Sequence, residues 1–207
     1  FKRLKALRRD KGSDKEFNFD ILMANPPFAG DIKENQILSL YELAFSKGKI
    51  KNSVGRDILF IERNLDFVKP GGRLAIVLPQ GRFNNTSDKE IRDYISERAR
   101  ILGVVGLHVN TFKPHTGTKT SVLFLQKWND DNSNPKYYCP KKEDYPIFFA
   151  VSERGGKDNS GDYIYLKDEN GDKKFDKHGH FIVEHDLHNQ GGELPDGIAE
   201  AFINWAK

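Results

Sequence analysis

The feature that most constrains the fold is an apolar run that ends in two consecutive prolines. Phe19–Ala24 predicts a short buried strand, and Asn25-Pro26-Pro27-Phe28 follows it directly. Proline has no N–H group and a fixed φ, so the strand must stop there and the chain continues as a stiff, extended segment. In open α/β sheets, ligands bind just beyond the carboxyl ends of the strands. The stretch therefore predicts a rigid polar bracket at a ligand-binding edge.

Beyond the prolines, helix-like and strand-like segments alternate, which is typical of an α/β sheet that is parallel in its first part. Helices are predicted over 37–44, 58–68 and 88–100, and strands over 73–79, 101–109 and 119–127. Lys69-Pro70-Gly71-Gly72 is predicted to end the second helix in a turn. The last two strands are joined by 110–118, which is too short for a helical crossover, so we expect antiparallel neighbours.

The composition changes after Trp128. A polar loop over 129–135 leads into 136–190, which is rich in Lys, Asp, Gly and aromatic residues. Short strands are predicted over 147–151, 163–166 and 180–184, with a hairpin turn over 169–172 and a closing helix over 198–206. No internal repeat is identified. This part of the chain predicts an appended β-rich segment.

Composition and charge bound the classes of protein that the chain can belong to. It has 207 residues, 37% hydrophobic and 30% charged, as expected for a globular protein without a membrane-spanning stretch. A single cysteine, Cys139, and the lack of a secretory signal predict a cytoplasmic protein. Residues 1–15 carry seven Lys/Arg and two Asp, hence +5, against +3 for the whole chain. This basic start suits either a nucleic-acid groove or a solvated helix face.

The bracket after the first strand predicts a chemistry as well as a shape. The Asn25 side-chain carbonyl and the Pro26 backbone carbonyl are two neighbouring acceptors, which suit the two hydrogens of an –NH2 group. An amine on an aromatic ring is a poor nucleophile because its lone pair is delocalised into the ring. Holding both hydrogens localises that lone pair, and Phe28 can stack on the ring and lie near a cationic methyl donor. The motif therefore favours methyl transfer to an amino group.

Several motifs together resemble a known family. Phe19-Asp20-Ile21-Leu22 with Asn25-Pro26-Pro27-Phe28 resembles the catalytic motif of amino-group methyltransferases that use S-adenosylmethionine. Further resemblances lie at 56–62, 69–73, 77–79, Phe112 and 118–123. Over about residues 17–128, the chain resembles the methylation (M) subunit of type I restriction-modification systems, an N-6 adenine-specific DNA methylase.

The resemblance implies a fold and a division of the chain. The fold is α/β, with the second half of a partial Rossmann-like S-adenosylmethionine-dependent methyltransferase sheet that ends in an antiparallel hairpin. A β-rich segment and a C-terminal helix are appended to it. The implied parts are a basic N-terminal segment over 1–16, the C-terminal half of the catalytic domain over 17–128, and a polar β-rich extension with a terminal helix over 129–207.

The resemblance also implies roles for individual residues. Asn25, Pro26, Pro27 and Phe28 are the implied catalytic residues, and Asn25 and Phe28 also contact S-adenosylmethionine. Extrusion of the target adenine is required because N6 lies inside the paired duplex. The remaining implied substrate contact is Phe112, which packs against the flipped base. The polar residues over 116–120, Thr118 and Lys119 among them, either contact DNA phosphate or form a plain loop.

Double-stranded DNA is the implied substrate, and the implied partners are the specificity and restriction subunits of the same system, with a homo-oligomer left open. Members of the family bind the cofactor mainly through a Gly-rich turn and an acidic residue that precede the catalytic motif. The residues before Asn25 contain no such turn, so we expect the cofactor half to be missing. The 19–24 strand would then be a sheet edge, and we expect it to pair with another chain.

Two alternatives to DNA methylation remain open. The first alternative is an amino-group methyltransferase that acts on RNA or on protein glutamine, because both present the same –NH2 group. The second is an inactive remnant that binds DNA or partner subunits. His178, His180, His185 and His188 could bind zinc, but exposed residues of a polar segment are the favoured interpretation, and no metal is predicted.

Overall fold

A computed structural model describes residues 18–207, so the predicted basic segment over 1–16 lies outside the described residues. The contacts within the chain divide it into two units. Unit 1 comprises the residues up to Gly103 together with Val122–Ile147, and unit 2 comprises Val104–Ser121 together with Phe148–Lys207. The three-part division of the sequence stays a prediction.

The elements follow one another as short strands and helices. The strands are β1 (Phe19–Ala24), β2 (Asp31–Ile32), β3 (Phe45–Ser46), β4 (Lys49–Ile50), β5 (Val54–Gly55), β6 (Val68–Pro79), β7 (Ala99–Gly106), β8 (Thr120–Lys127) and β9 (Phe148–Val151). The helices are α1 (Asn35–Leu38), α2 (Arg56–Phe67), α3 (Gly81–Asn84), α4 (Lys89–Arg98) and α5 (Ile198–Trp205). Short 3-10 turns lie at Glu42–Ala44, Thr86–Asp88 and Gln190–Gly192.

Unit 1 is built on a mixed sheet in the order β1, β6, β8, β7. β1 and β6 are parallel, with Ile21 opposite Arg73 and Ala24 opposite Ile76, as predicted for the first part of the sheet. β7 and β8 are neighbours, and the Trp128 N–H donates to the Arg98 carbonyl across them. In unit 2, the Leu107 N–H donates to the Thr120 carbonyl. Residue 98 thus pairs with residue 128, and residue 107 pairs with residue 120. The residue numbers increase along β7 and decrease along β8, which confirms the predicted antiparallel pair.

β1 differs from its prediction in burial. It forms at the predicted residues, but Ile21 is 63% exposed and Met23 is 81% exposed, so it is not a buried strand. The reason is its position, because β1 lies at the edge of the sheet within the described residues. The expected edge strand is thus observed, and its pairing with another chain stays a prediction.

The helix predicted over 37–44 is interrupted. α1 ends at Leu38, Tyr41 is extended, and a 3-10 turn begins at Glu42. The Glu62 carboxylate, on α2, accepts hydrogen bonds from the backbone N–H groups of Glu42 and Leu43 at 3.0 Å each. The Glu62 carboxylate thus replaces the intrahelical hydrogen bonds that the predicted helix would have made at these two N–H groups. Tyr41 still packs in the core.

Unit 2 combines β9, α5 and an irregular hairpin region. β9 is the neighbour of β7, and the Ser152 N–H donates to the Gly106 carbonyl. Phe148 contacts Phe202 and Trp205 of α5, with ring centroids 5.3 and 5.7 Å apart. The segments predicted as strands over 163–166 and 180–184 form isolated bridges instead, among them Tyr165 opposite Val183.

Among the described residues, unit 2 contains three hairpin turns of one design, which corrects the expectation of no internal repeat. Each opens with an Asp whose Oδ1 accepts the N–H groups of the second and fourth residues after it. Each has a glycine with positive φ three residues after the Asp. The pairs are Asp158 with Gly161, Asp168 with Gly171, and Asp176 with Gly179. We call the turns hairpin 1 (157–163), hairpin 2 (167–173) and hairpin 3 (175–181).

A closed cycle of backbone hydrogen bonds joins the bases of hairpins 2 and 3. Leu166 donates to Ile182, Ile182 donates to Lys174, and Lys174 donates to Leu166, at 2.9 to 3.0 Å. Ile182 is fully buried at this point. The cycle satisfies backbone groups that would otherwise be unpaired in a region without continuous strands.

At the start of β6, Gly71 lies against the backbone of Tyr137. Gly71 has φ +73°, and a Cβ added to it would lie 1.9 Å from the Tyr137 carbonyl oxygen. Gly48 has φ +79° with nothing within 4 Å of such a Cβ. Both positions therefore need glycine for φ, but only Gly71 needs it for space.

We expect Gly71→Ala to destabilise the chain by about 3 kcal/mol, because backbone strain and overpacking add. Gly48→Ala should cost about 1 kcal/mol, from backbone strain alone. Urea denaturation of both variants measures the difference, and equal losses would contradict the close approach.

The beginning of β1 is held by a charged network. Lys69 Nζ lies 2.6 Å from the Asp20 carboxylate and 3.4 Å from the centre of the Tyr137 ring, and the Tyr137 hydroxyl donates to Asp20. The hydrogen bond from Lys69, and then that from Tyr137, lower the pKa of Asp20 from 3.8 to about 2. These contacts favour the ionised carboxylate in the folded state.

A pKa that is lower in the folded state gives stability above the unfolded pKa and loses it as pH falls through the folded pKa. Asp20→Asn should therefore lower the urea midpoint at pH 6, and the gap to the wild type should close between pH 4 and pH 2. Urea titrations across this range measure it. A gap that persists at pH 2 would assign the effect to packing instead.

Candidate active site

The Asn-Pro-Pro-Phe motif lies on one loop at the carboxyl end of β1. Asn25 and Pro27 are exposed, Pro26 is buried, and Phe28 is half-buried. The loop has no helix or strand of its own until β2 begins at Asp31. The parallel pairing of β1 with β6 puts this loop and the loop after β6 at the same edge of the sheet. The predicted bracket is thus at the predicted edge.

A small antiparallel pair fastens the exit of this loop. β2 pairs with β5, with Asp31 opposite Gly55, so the loop returns to the first turn of α2. The Arg56 N–H donates to the Gly30 carbonyl at 3.0 Å. Gly30 has φ +92°, and a Cβ there would lie 3.2 Å from the Arg56 guanidinium. The contact between Gly30 and Arg56 therefore fixes the chain where it leaves the Asn25–Phe28 loop.

The loop after β6 is held by buried charges. Arg82, on α3, binds Asp57 through two hydrogen bonds of 2.7 and 3.2 Å and Asp88 through one of 3.1 Å. Asp57 is 2% exposed and Asp88 is 8% exposed. Burial alone would lower the pKa of Arg82, but the two carboxylates outweigh it and raise that pKa. The guanidinium thus ties α3 to the first turn of α2 in a fixed charged form.

The other predicted substrate residues lie in unit 2, on the segment between β7 and β8. Phe112 is half-buried in a series of turns, whereas Thr118 and Lys119 are exposed just before β8. The Thr116 hydroxyl contacts the Thr118 hydroxyl at 2.9 Å and accepts the Thr118 N–H at 3.1 Å. Asn25, Pro26, Pro27 and Phe28 are thus contiguous in unit 1, and Phe112, Thr118 and Lys119 share one segment of unit 2.

The histidine cluster is not arranged as a metal centre. Within residues 18–207, no group of three or more His, Cys, Asp or Glu is placed to hold a metal ion. His185 and His188 pack edge to face, with ring centroids 4.6 Å apart. Burial, and then the neighbouring His188, lower the pKa of His185, and burial raises the pKa of the Cys139 thiol. None of the helices described in 18–207 is both long and apolar enough to cross a membrane.

The residues that hold the two loops of unit 1 were missed by sequence reasoning. Arg82 and Asp57 are 25 positions apart, and no local pattern joins them. Gly30, two residues after the rigid motif, carried a usable signal, because glycine is the default residue where the chain needs a positive φ. Arg56 was part of a motif used for the resemblance, without an assigned contact.

The family model described as N-6 DNA methylase matches residues 4–193 of the chain. The chain belongs to the N-6 DNA methylase family. Its mixed sheet, with a parallel start and an antiparallel end, agrees with a solved Listeria monocytogenes chain assigned as a class I S-adenosylmethionine-dependent methyltransferase. That likeness has a TM-score of 0.51 at 22% identity and covers 65% of this chain and 36% of that one. The predicted fold is confirmed.

Two curated relatives place this N-6 DNA methylase chain beside restriction-modification proteins of Escherichia coli. The type II restriction enzyme and methyltransferase RM.Eco57I is 30% identical over 119 residues, 56% of this chain and 12% of that protein. The methylase subunit of the type I restriction enzyme EcoEI is 28% identical over 109 residues, 52% of this chain and 21% of that subunit. The chain thus matches only a small part of the length of either relative.

Removing the Arg82 guanidinium should destabilise the chain, because Asp57 would remain buried without its partner. We expect Arg82→Met to cost about 2–3 kcal/mol. Lys89→Met removes an exposed ion pair with Asp93 and should cost less than about 0.5 kcal/mol. Urea denaturation of both variants tests this, and a similar small loss in each would show that Asp57 is solvated.

Proposed function

We propose that the chain carries the acceptor side of a DNA methyltransferase that transfers a methyl group to N6 of a flipped-out adenine. The observation that carries the proposal is the Asn25–Phe28 loop, which leaves β1 at the carboxyl edge of the sheet and is fastened at its exit through Gly30. A rigid loop is what the chemistry needs, because acceptors that move cannot hold an amine in one geometry. Membership of the N-6 DNA methylase family supports adenine N6 as the acceptor.

In this proposal each residue of the loop has one task. The Asn25 side-chain carbonyl and the Pro26 backbone carbonyl accept the two N–H bonds of the amine, which localises the nitrogen lone pair. Pro27 keeps the segment extended, and Phe28 stacks on the flipped base. The nitrogen loses one proton after it gains the methyl group, and water can accept it because Asn25 is exposed. No strong base is required.

Phe112, Thr118 and Lys119 complete the proposed contacts to the substrate. Phe112 packs against the base, while the Thr118 hydroxyl and the Lys119 ammonium contact DNA phosphate. The exposure of Thr118 and Lys119 supports a role at a surface that meets a ligand. These contacts carry no sequence information, so a specificity subunit would read the DNA sequence and a restriction subunit would be the further partner.

S-adenosylmethionine is the proposed cofactor, and the described residues fit one end of it. Asn25 and Phe28 suit the methylsulfonium end, since an aromatic ring attracts a cation. Within 18–207 the sheet starts at β1, and no glycine-rich turn that could hold the adenosyl group precedes the Asn25 loop. When bound, the cofactor supplies the electrophilic methyl group.

The test is Asn25→Ala in the gene at its native locus, in a background without restriction activity. We expect the variant to lower the rate at which newly replicated sites gain N6-methyladenine by at least about 100-fold, because the amine loses its side-chain acceptor. Methylation-sensitive sequencing of the genome measures the rate. Asn170→Ala removes an exposed amide from hairpin 2 and is the matched control, expected to leave the rate unchanged.

The same strains separate the alternatives. A methyl group lost from RNA bases or from protein glutamine in Asn25→Ala, with genomic N6-methyladenine unchanged, would replace DNA by that substrate. No change in any of the three pools would identify an inactive remnant.

A further inference from the structure

We propose that hairpin 1 (157–163) positions Phe112 by bracing the segment that we call the acceptor loop (108–118). Lys157, Asn159 and Gly161 are then positioning residues for the methyl transfer, and this inference rests on the proposed function. All the contacts that carry it lie within unit 2. They give part of the β-rich extension a role in methyl transfer, which the sequence did not predict.

The first contact is made by a buried amide next to Phe112. Asn110 is 6% exposed, and its Nδ2 donates to the Lys157 carbonyl at 3.1 Å and to Asn159 Oδ1 at 3.2 Å. A buried amide that satisfies both of its hydrogens on one partner segment fixes the distance between the two segments. The residue two positions before Phe112 is therefore tied to hairpin 1.

The second contact lies on the other side of Phe112. The half-buried Lys157 side chain donates from Nζ to the Lys113 carbonyl at 2.9 Å. Gly161 lies so close to the acceptor loop that an added Cβ would be 2.6 Å from the Pro114 nitrogen and 2.8 Å from the Lys113 carbonyl carbon. These atoms belong to the backbone and cannot move aside as a flexible side chain would. The Lys113 N–H donates to the Asn110 carbonyl at 3.0 Å, so hairpin 1 contacts both ends of the turn 110–113 that carries Phe112.

A third contact closes the base of the acceptor loop. A Cβ added to Gly155 would lie 2.6 Å from the His108 Cβ, so His108 packs directly against that backbone. His108 in turn accepts the Asn110 N–H at Nδ1 and the Thr111 hydroxyl at its carbonyl, at 3.2 and 2.7 Å. Phe112 therefore sits on a turn that is held at both ends.

The other two hairpins show that this contact is particular to hairpin 1. Gly161, Gly171 and Gly179 occupy the same position of the same turn, with φ of +98°, +87° and +82°. An added Cβ meets nothing within 4 Å at Gly171 or Gly179. The three glycines share one backbone requirement, and only Gly161 also approaches another segment. The chain thus contains its own matched control.

The first experiment compares Gly161→Ala with Gly171→Ala by hydrogen exchange of the purified chain. Both variants strain a positive φ, but only Gly161→Ala also overpacks against backbone, so its melting temperature should fall further than that of Gly171→Ala. Only Gly161→Ala should speed amide exchange in the peptide that covers 108–118, by about 10-fold, because only there does the new methyl group push the acceptor loop away. Equal exchange of this peptide in the two variants would overturn the brace without bearing on the proposed function.

The second experiment uses the native locus and the N6-methyladenine rate. Gly161→Ala should lower the rate by about 10- to 100-fold relative to Gly171→Ala, since a displacement of about 1 Å in a positioning group has effects of this size. Lys157→Met should lower it as well, and Lys157→Arg, which retains a donor for the Lys113 carbonyl, should restore most of it. A structural role alone would not produce rescue by the conservative variant.

The outcomes of the second experiment are distinct. A wild type that forms no N6-methyladenine contradicts the proposed function. It also contradicts the positioning role, because that role depends on the proposed function. A methylating wild type in which Gly161→Ala equals Gly171→Ala, or in which Lys157→Met equals Lys157→Arg, overturns the positioning role and leaves the methylase proposal intact.

Discussion

The parallel pairing of β1 with β6 is the constraint on which the rest of unit 1 depends. With Ala24 opposite Ile76, the carboxyl ends of both strands reach one edge of the sheet, so the Asn25–Phe28 loop and the loop after β6 start side by side. Two sets of contacts keep those loops in place. The β2–β5 pair returns one loop to α2, and Arg82 ties the other to Asp57 on the same helix. Both loops at this edge of the sheet are therefore anchored to α2.

Unit 2 uses one turn design for two purposes. The Asp-x-x-Gly turn closes a hairpin by itself. The Asp carboxylate accepts backbone N–H groups of the turn, and the glycine adopts the positive φ that the turn requires. In hairpins 2 and 3 the glycine faces open space, whereas in hairpin 1 the same small residue allows the backbone to approach 113–114. A conformational requirement of the turn therefore also permits a packing contact with the residues that follow Phe112.

Much of the fold could be predicted from local pattern, and the failures have physical causes. β1, α2 and α5 form where the patterns of Phe19–Ala24, 58–68 and 198–206 predicted them, because the hydrophobic period of each segment agrees with its local propensity. The helix over 37–44 was wrong because Glu62 supplies an acceptor that local reasoning cannot see. The repeat in unit 2 was missed because only the Asp and the Gly are constant from turn to turn and the spacing changes from ten residues to eight.

The sequence by itself determined the class of fold and the family. Two prolines after an apolar run permit few backbone conformations, and that local restriction is readable without coordinates. The tertiary structure alone decided how the site residues are held. Arg82 with Asp57, Glu62 with residues 42 and 43, and Lys157 with Lys113 are pairs distant in sequence, each made by a donor and an acceptor that must be satisfied once buried. Which donor meets which acceptor depends on the packing of the whole chain, and no local pattern encodes it.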